Sequence, residues 1–128
     1  MRGCIGQFEP DKPFFRVVQE TAISAAVEDK RFEPVSAEEL ADLEIEISAL
    51  SSKKPVKSFQ EIKLGENGVV IEFRGRSGTF LPQVATETGW NLDEFLSQLC
   101  SQKLRVKKDC YQDPNAKIYI YEAQVFKE

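Results

Sequence analysis

Two stretches of alternating apolar and polar residues most constrain the fold of this chain. In residues 43–49 the apolar positions, separated by single polar ones, are Leu43, Ile45, Ile47 and Ala49. Residues 118–126 alternate in the same way. Because side chains of a β-strand point to opposite faces in turn, each stretch predicts a strand with one buried and one polar face.

Helical periodicity is interleaved with these strands. Apolar residues at helical spacing predict one helix from Pro13 to about Glu28, with proline at its first position. A second helix is predicted from the capping residue Asn91 to about Lys103. Ser36 and a glutamate three residues later predict a capping box before a short helix over residues 37–40.

Turn signals decide the class of the sheet. Asn67-Gly68 is a strong hairpin signal before an apolar run, and the four glycines of residues 65–78 are interpreted as turns. Pro82 is expected to end the strand that follows, because it cannot donate to a central ladder. Hairpin signals outnumber crossover units, so we predict an α+β fold with a mainly antiparallel sheet and flanking helices.

Composition bounds the class of protein. The 128 residues, 41% of them hydrophobic, suit one compact domain over residues 1–128. A net charge of −4 at pH 7 argues against nucleic-acid binding. No apolar run approaches the roughly 18 residues that span a bilayer, and no secretory signal is evident. We therefore predict a cytoplasmic protein with neither a nucleic-acid nor a membrane partner.

The absence of histidine excludes several chemistries. Ser-His-Asp and Cys-His catalysis and histidine-ligated zinc need a residue that the chain lacks. Three scattered cysteines are too few for a disulfide scaffold, so we predict three free thiols in a reducing compartment. Cys100 is expected to pack on a helix face and Cys110 to lie in an exposed charged loop. We predict no metal site and no cofactor.

Five segments are distinctive in their order and spacing. They are Arg2-Gly3-Cys4-Ile5-Gly6, residues 29–34, residues 46–50, Leu81-Pro82-Gln83-Val84, and Trp90 before Phe95-Leu96. Together they closely resemble the AMMECR family, in the wording of its bacterial and archaeal branch. The resemblance implies an α+β protein with a large and a small lobe around a cleft, and the Arg-Gly-Cys-Ile-Gly segment near that cleft. It carries no settled activity.

The resemblance also implies protein partners, and it implies a longer N-terminal segment in the relatives than in this sequence. Prokaryotic relatives often accompany a Memo-type protein and a radical-SAM protein. Relatives usually carry a helix and a strand before the Arg-Gly-Cys motif, which begins here at Arg2. A missing strand would leave an unpaired sheet edge, which predicts a homodimer through that edge. Two further departures are the absence of the family's glycine after Cys100 and Tyr111 at its late tryptophan position.

Cys4 is the sharpest candidate for chemistry. A thiolate is a nucleophile, and a nearby cation such as Arg2 would activate it. Gly3 and Gly6 would supply positive φ angles or a close backbone approach to a ligand. The alternative is that Cys4 acts as a small apolar residue or lines a ligand site, as free cysteines usually do.

Three other side chains complete the candidate site. Glu46 is the general-base candidate, with a solvated sheet face as the alternative. Arg31 would join Arg2 in binding an anionic group, unless it serves in an ion pair. Gln83 would hydrogen-bond a ligand, although satisfying backbone groups is the commoner role.

Two functional hypotheses follow. The first is a ligand- or protein-binding module that acts with Memo-type and radical-SAM partners. The alternative is a small-molecule or modification enzyme that uses Cys4 in the inter-lobe cleft. An exposed apolar patch would favour the module. A cleft of convergent polar groups around a solvent-reachable thiol would favour the enzyme.

Overall fold

The computed structural model describes residues 1–8 and 10–127 and divides the chain into two compact units. The N-terminal unit comprises residues 1–48 and 125–128, and the central unit comprises residues 49–124. Each unit is described by itself. Helices and antiparallel sheets together confirm the predicted α+β class. The single domain over residues 1–128 stays a prediction.

Helix α1, Phe14–Val27, dominates the N-terminal unit. It starts directly after Pro13, whose missing amide donor is of no consequence at a helix start. Its range confirms the predicted helix. Of the predicted apolar stripe only Val17 is buried, and Phe14 lies exposed. The helix therefore buries little apolar surface within this unit.

A short 3-10 helix, Ala37–Asp42, follows α1. The predicted capping box is confirmed: the Glu39 carboxylate accepts from the Ser36 N–H at 2.8 Å. The helix is one of 3-10 type and extends two residues beyond the predicted range. It leads towards the first strand of the chain.

Strands β1, Glu46–Leu50, and β6, Ala123–Lys127, pair in a two-stranded sheet. The prediction of a strand over residues 43–49 is wrong at its start, since Ile45 precedes β1 and is exposed. None of the residues of β1 is fully buried. The alternating pattern marks the strand but does not by itself bury it.

The central unit contains a four-stranded antiparallel sheet in the order β2-β5-β3-β4. These strands are β2, Lys54–Pro55; β3, Gly68–Phe73; β4, Arg76–Phe80; and β5, Lys117–Tyr121. The predicted single strand over residues 118–126 is divided into β5 and β6. Between them the Glu122 N–H donates to the Ser51 hydroxyl at 2.8 Å.

The turn predictions around the β3–β4 hairpin are wrong in two places. Gly68 opens β3 and Gly78 lies within β4, so neither is in a turn. A side chain at Gly68 would overlap the Tyr121 ring, and one at Gly78 would approach Lys103 Cβ to 2.6 Å. These glycines admit close packing. The hairpin turn is instead Arg74-Gly75, where both residues have positive φ.

Helices α2, Pro82–Thr88, and α3, Leu92–Gln98, follow β4. Pro82 ends the strand as predicted, and Asn91 caps α3 by accepting the Glu94 N–H at 2.9 Å. A π-helical segment, Leu99–Leu104, extends α3 and ends at Arg105 in the left-handed conformation, with φ of 57°. An arginine thus takes the position for which glycine is preferred.

The core of the central unit forms between β3 and the α3 region. Val69, Ile71 and Phe73 of β3 are buried with Phe95 and Leu96 of α3. These residues belong to one apolar cluster, and the removal of that cluster from water stabilises the central unit. Trp90 packs against the same cluster, with its ring 6.1 Å from that of Phe80.

Two cysteine predictions are wrong. Cys100 and Cys110 form a disulfide and both are fully buried, so Cys110 does not lie in an exposed loop. Their Cα atoms lie 5.9 Å apart, a separation typical of disulfides. Within the described residues Cys4 is the one free cysteine. The inference of a reducing compartment loses its support from three free thiols, and the location stays a prediction.

Within the described part of the chain, no helix is both long enough and apolar enough to cross a bilayer.

The disulfide predicts a specific thiol count. In denaturant without reductant, a thiol reagent should find one reactive group per chain, and after reduction three. Reduced protein should lose roughly 2–3 kcal/mol of unfolding free energy, because the bridge closes a ten-residue loop in the unfolded chain. Denaturant titration of oxidised and reduced samples measures this loss. Three thiols before reduction would contradict the bridge.

Candidate functional site

The segment Arg2–Gly6 approaches the C-terminal half of α1 within the N-terminal unit. A Cβ atom at Gly3 would overlap the carbonyl oxygen of Ala25, so only glycine allows this approach. Gly6 has open space around it, with no heavy atom within 4 Å of an added Cβ. Neither glycine has positive φ. Of the two predicted roles for Gly3, close approach is the one observed here, and it is an approach to a helix.

Asp29 organises this segment. Its Oδ2 accepts the Cys4 backbone N–H at 3.0 Å, and its Oδ1 accepts the Arg31 backbone N–H at 3.1 Å. The latter bond is an Asx turn, a local geometry that aspartate forms readily. The side chain of Asp29 is 5% exposed. A buried carboxylate thus joins the N-terminal segment to the chain that leaves α1.

Arg31 completes the arrangement from the other side. Its Nε and Nη2 donate to the two oxygens of Asp29 at 3.0 and 2.7 Å, a bidentate pair. The same Nη2 donates to the Cys4 carbonyl oxygen at 3.3 Å. The guanidinium carbon lies 5.3 Å from the Phe32 ring centroid. Most of the donors of Arg31 are therefore engaged by the protein itself.

These contacts hold the pKa of Asp29 well below its ordinary value of 3.8. The largest cause is the hydrogen bond from the Arg31 side chain, followed by the bond from the Cys4 N–H, while desolvation acts in the opposite direction. Asp29 in turn raises the pKa of Arg31. The pair stays ionised at neutral pH, so Asp29 serves as an anchor and not as a general base.

Arg2 makes a second anchor. Its Nη2 donates to the Glu39 carboxylate at 3.1 Å and to the Glu33 carbonyl oxygen at 3.2 Å. The Ser36 N–H and then Arg2 lower the pKa of Glu39. Arg2 Nε is buried without a hydrogen-bond partner. The charge of Arg2 is thus compensated by Glu39 at the capping box.

Cys4 presents its side chain while its backbone is held. The residue is exposed and its thiol is free. Asp29 accepts from its N–H, and Arg31 donates to its carbonyl oxygen. A thiol on a positioned backbone can reach a reagent or a partner in solvent. In the described residues no group of three or more Cys, Asp or Glu residues is arranged to hold a metal ion.

The remaining predicted site residues lie elsewhere. Glu46 begins β1, and its carboxylate lies 3.6 Å from the Lys127 ammonium. Gln83 belongs to the central unit, where it is half-buried near the start of α2. The structure thus brings Arg31 and Cys4 together. The ligand-binding and catalytic roles of the predicted site residues stay predictions.

Sequence reasoning missed Asp29 and Glu39. Asp29 entered only as the first residue of a recognisable segment, with no role of its own. The available signal was an aspartate two residues before an arginine, directly after a helix end, where an unpaired carboxylate would be unfavourable. Glu39 was noticed as a capping residue, and its bond to Arg2 depends on a sequence separation of 37 residues.

The similarity to known proteins extends over nearly the whole chain. The AMMECR1 family model matches residues 1–126. The chain belongs to the AMMECR1 family. This confirms the resemblance inferred from the Arg-Gly-Cys-Ile-Gly motif. Archaeal relatives fit the predicted branch of this family.

AMMECR1 relatives share the fold closely. Proteins of Methanothermobacter thermautotrophicus and Thermococcus gammatolerans are each 42% identical over the full chain, which covers 69% and 64% of their lengths. The crystal structure of protein PH0010 from Pyrococcus horikoshii superposes with a TM-score of 0.94 at 37% identity, over 99% of this chain and 64% of that one. The chain thus spans about two thirds of its relatives.

The contrast between the two motif glycines is directly testable. Gly3→Ala should destabilise the N-terminal unit by about 1–3 kcal/mol, the usual range for overpacking, because the added carbon meets the Ala25 carbonyl. Gly6→Ala is the matched control and should leave stability unchanged. Urea titration and hydrogen exchange of the α1 amides measure both. Equal effects of the two substitutions would contradict the proposed packing.

Asp29 predicts a pH dependence of known sign. Its folded pKa is depressed, so its contribution is complete above the ordinary value of 3.8 and is lost as pH falls below it. Asp29→Asn should therefore lower stability at pH 7, and the difference from wild type should shrink below pH 3.8. The Cys4 amide should exchange roughly tenfold faster in this variant.

Urea titration between pH 7 and 3 and hydrogen exchange of the Cys4 amide check this prediction. Asp42→Asn, an exposed carboxylate outside the anchor, is the control. A stability difference that is independent of pH would refute the assigned role of Asp29.

Proposed function

We propose that the chain is a protein-binding module whose docking surface is the outer face of α1. The observation that carries the proposal is the distribution of exposed apolar side chains. In the described part of the chain, every large apolar side chain that is exposed belongs to the N-terminal unit. They are Met1, Ile5, Phe14, Phe15, Ile23, Val27, Leu40, Ile45, Val125 and Phe126.

Helix α1 carries large apolar side chains away from its one buried residue. Val17 points inward, and Ser24, two turns later, lies near the same side. At about 100° per residue, Phe15 and Ile23 lie about 160° and 120° around the helix from Val17, and they are 61% and 62% exposed. The outer face therefore has the character of an unoccupied contact surface.

Charge selects the kind of partner. The N-terminal unit contains six basic and twelve acidic residues and is net −6, whereas the central unit contains eleven basic and nine acidic residues and is net +2. Two copies of the acidic unit would repel one another. A segment that is both apolar and basic would match the exposed apolar side chains of α1 and the negative charge of the unit that carries them. We take such a protein segment as the occupant.

Membership of the AMMECR1 family suggests where to look for it. Memo-type and radical-SAM proteins are the partners that the family resemblance implies. Either would fit the proposal if a basic, apolar segment of it docks on α1. This assignment of partners is part of the proposal and is the part to be tested first.

Co-expression with each partner tests the module directly. The double substitution Phe15→Gln with Ile23→Gln should weaken binding roughly tenfold or more, because it removes two apolar anchors. Leu40→Gln removes a similar exposed apolar group from the same unit outside α1, and should leave the Kd unchanged. Calorimetry of the purified components gives the Kd of the wild-type chain, of the double variant and of Leu40→Gln. Equal Kd values for all of them would contradict docking on α1.

Other occupants of the face are outcomes that overturn the proposal. Sedimentation that shows a concentration-dependent dimer, lost in the Phe15/Ile23 variant, would assign the face to a second copy. Hydrogen exchange of the longer Methanothermobacter relative is the second check. Slower exchange of the equivalent α1 amides in that relative than in this chain, both without partners, would show that the relative covers this face with its own chain.

A second candidate is the enzyme that uses Cys4. The exposed thiol on a backbone fixed by Asp29 and Arg31 is the observation in its favour. Cys4→Ser separates the two candidates, because a binding module retains its partner in this variant. Alkylation of Cys4 as a function of pH then reports whether the thiol is activated, against a free thiol pKa of about 8.5.

A further inference from the structure

We propose that the β3–β4 turn of the central unit carries a binding site for a phosphoryl group. A cavity of about 400 Å³ lies at this turn. It is lined by Glu72, Phe73, Arg74, Gly75, Arg76, Ser77, Asn115 and Lys117. We call it the turn cavity. None of its residues belongs to the Cys4 segment or to α1, so it is independent of the proposed docking surface.

Three cations converge on the turn cavity from different places in the chain. Arg74 is the first residue of the turn, Arg76 begins β4, and Lys117 begins β5. The Ser77 hydroxyl and the Asn115 side-chain amide add neutral donors to the same lining. Three cationic side chains thus outnumber the one carboxylate of the lining, Glu72, as an anion site requires.

The two arginines are held in ways that leave donors available. Arg76 Nη1 donates to the carbonyl oxygens of Leu104 and Arg105 at 3.0 and 3.2 Å, which fixes the guanidinium plane. Its Nε and Nη2 have no hydrogen-bond partner among the described residues. The Arg74 guanidinium lies 4.9 Å from the Phe73 ring centroid and likewise has no hydrogen bond there.

Two carboxylates face this group, and neither cancels it. Glu72 lies opposite Lys117 in the β3–β5 register, and its carboxylate is 3.9 Å from the Lys53 ammonium. Asp113 accepts from Lys107 and from the Asn115 N–H, and Arg74 contributes to lowering its pKa. With Arg74, Arg76, Lys107 and Lys117 against these two, the region is net +2 in a chain that is net −4.

The backbone at Arg74 supports a functional reason for this residue. Arg74 and Gly75 have φ of 51° and 76°, the conformation of a type I′ hairpin turn. Glycine or asparagine is preferred at the first of these positions, and a long side chain there is unfavourable. The fold alone does not call for arginine at this position. Recognition of an anion at the turn would account for it.

A phosphoryl group matches the donors best. Guanidinium groups bind phosphate oxygens in a bidentate geometry, and an ammonium adds a point charge. The volume suits a small molecule and not a long polymer segment. The lining is open to solvent, so binding should weaken as ionic strength rises. The ligand class is a small phosphorylated compound, with inorganic phosphate as its simplest member.

NMR titration of the labelled chain with inorganic phosphate and then pyrophosphate, at low and constant ionic strength, tests the site. Saturable shifts should appear at the amides of residues 72–77 and 115–117. Arg74→Gly should raise the Kd roughly tenfold, the loss of one charge-assisted bidentate contact, and Lys117→Gln should raise it as well. Because glycine suits the turn conformation, Arg74→Gly keeps the fold.

Control variants and control ions complete the design. Lys57→Gln removes an exposed cation that does not line the turn cavity and should leave the Kd unchanged. Glu72→Gln should lower the Kd by removing the facing carboxylate. Shifts that do not saturate, or equal Kd values in Arg74→Gly and Lys57→Gln, would overturn the site. Equal binding of acetate would overturn the phosphoryl assignment.

Discussion

The buried carboxylate of Asp29 is the interaction on which the N-terminal unit depends. It receives two backbone N–H groups that lie 27 residues apart in the chain, and the Arg31 guanidinium balances its charge. Burying a carboxylate is unfavourable unless its oxygens are hydrogen-bonded and its charge is paired, and here both conditions are met. The position of the Cys4 backbone follows directly from this anchor.

The same anchor changes the meaning of the Arg-Gly-Cys-Ile-Gly motif. Each of its first three residues has a structural duty: Arg2 binds Glu39, Gly3 admits the Ala25 carbonyl, and the Cys4 backbone binds Asp29. The side chains of Cys4 and Ile5 are the parts of the motif left to solvent. A motif that is recognisable in sequence therefore combines local packing with two exposed side chains.

The two units differ in how completely their apolar residues are buried. The central unit encloses a core around β3 and the α3 region, and the Cys100–Cys110 bridge lies within it. Val17 is the one buried apolar residue in the described part of the N-terminal unit. Hydrophobic burial stabilises a unit only in proportion to the area removed from water. The N-terminal unit therefore gains less from its own hydrophobic burial than the central unit does.

Elements governed by neighbouring residues were predictable. Pro13 and the capping residues Ser36 and Asn91 mark helix starts because their effect acts over a few residues. The prediction of turns at Gly68 and Gly78 is wrong, since both glycines lie in strands. Their reason is a close approach by Tyr121 and by the Lys103–Leu104 region, which are distant in sequence.

The α+β class, the family and most helix boundaries follow from the residues alone, because periodicity, capping and motif order are properties of adjacent residues. The bond between Cys100 and Cys110, the anchoring of Cys4 by Asp29, and the convergence of Arg74, Arg76 and Lys117 at one turn arise from the folded chain. Each of these depends on a pairing register or a helix path that brings separated residues together. Distance in space, and not order in the chain, sets such interactions.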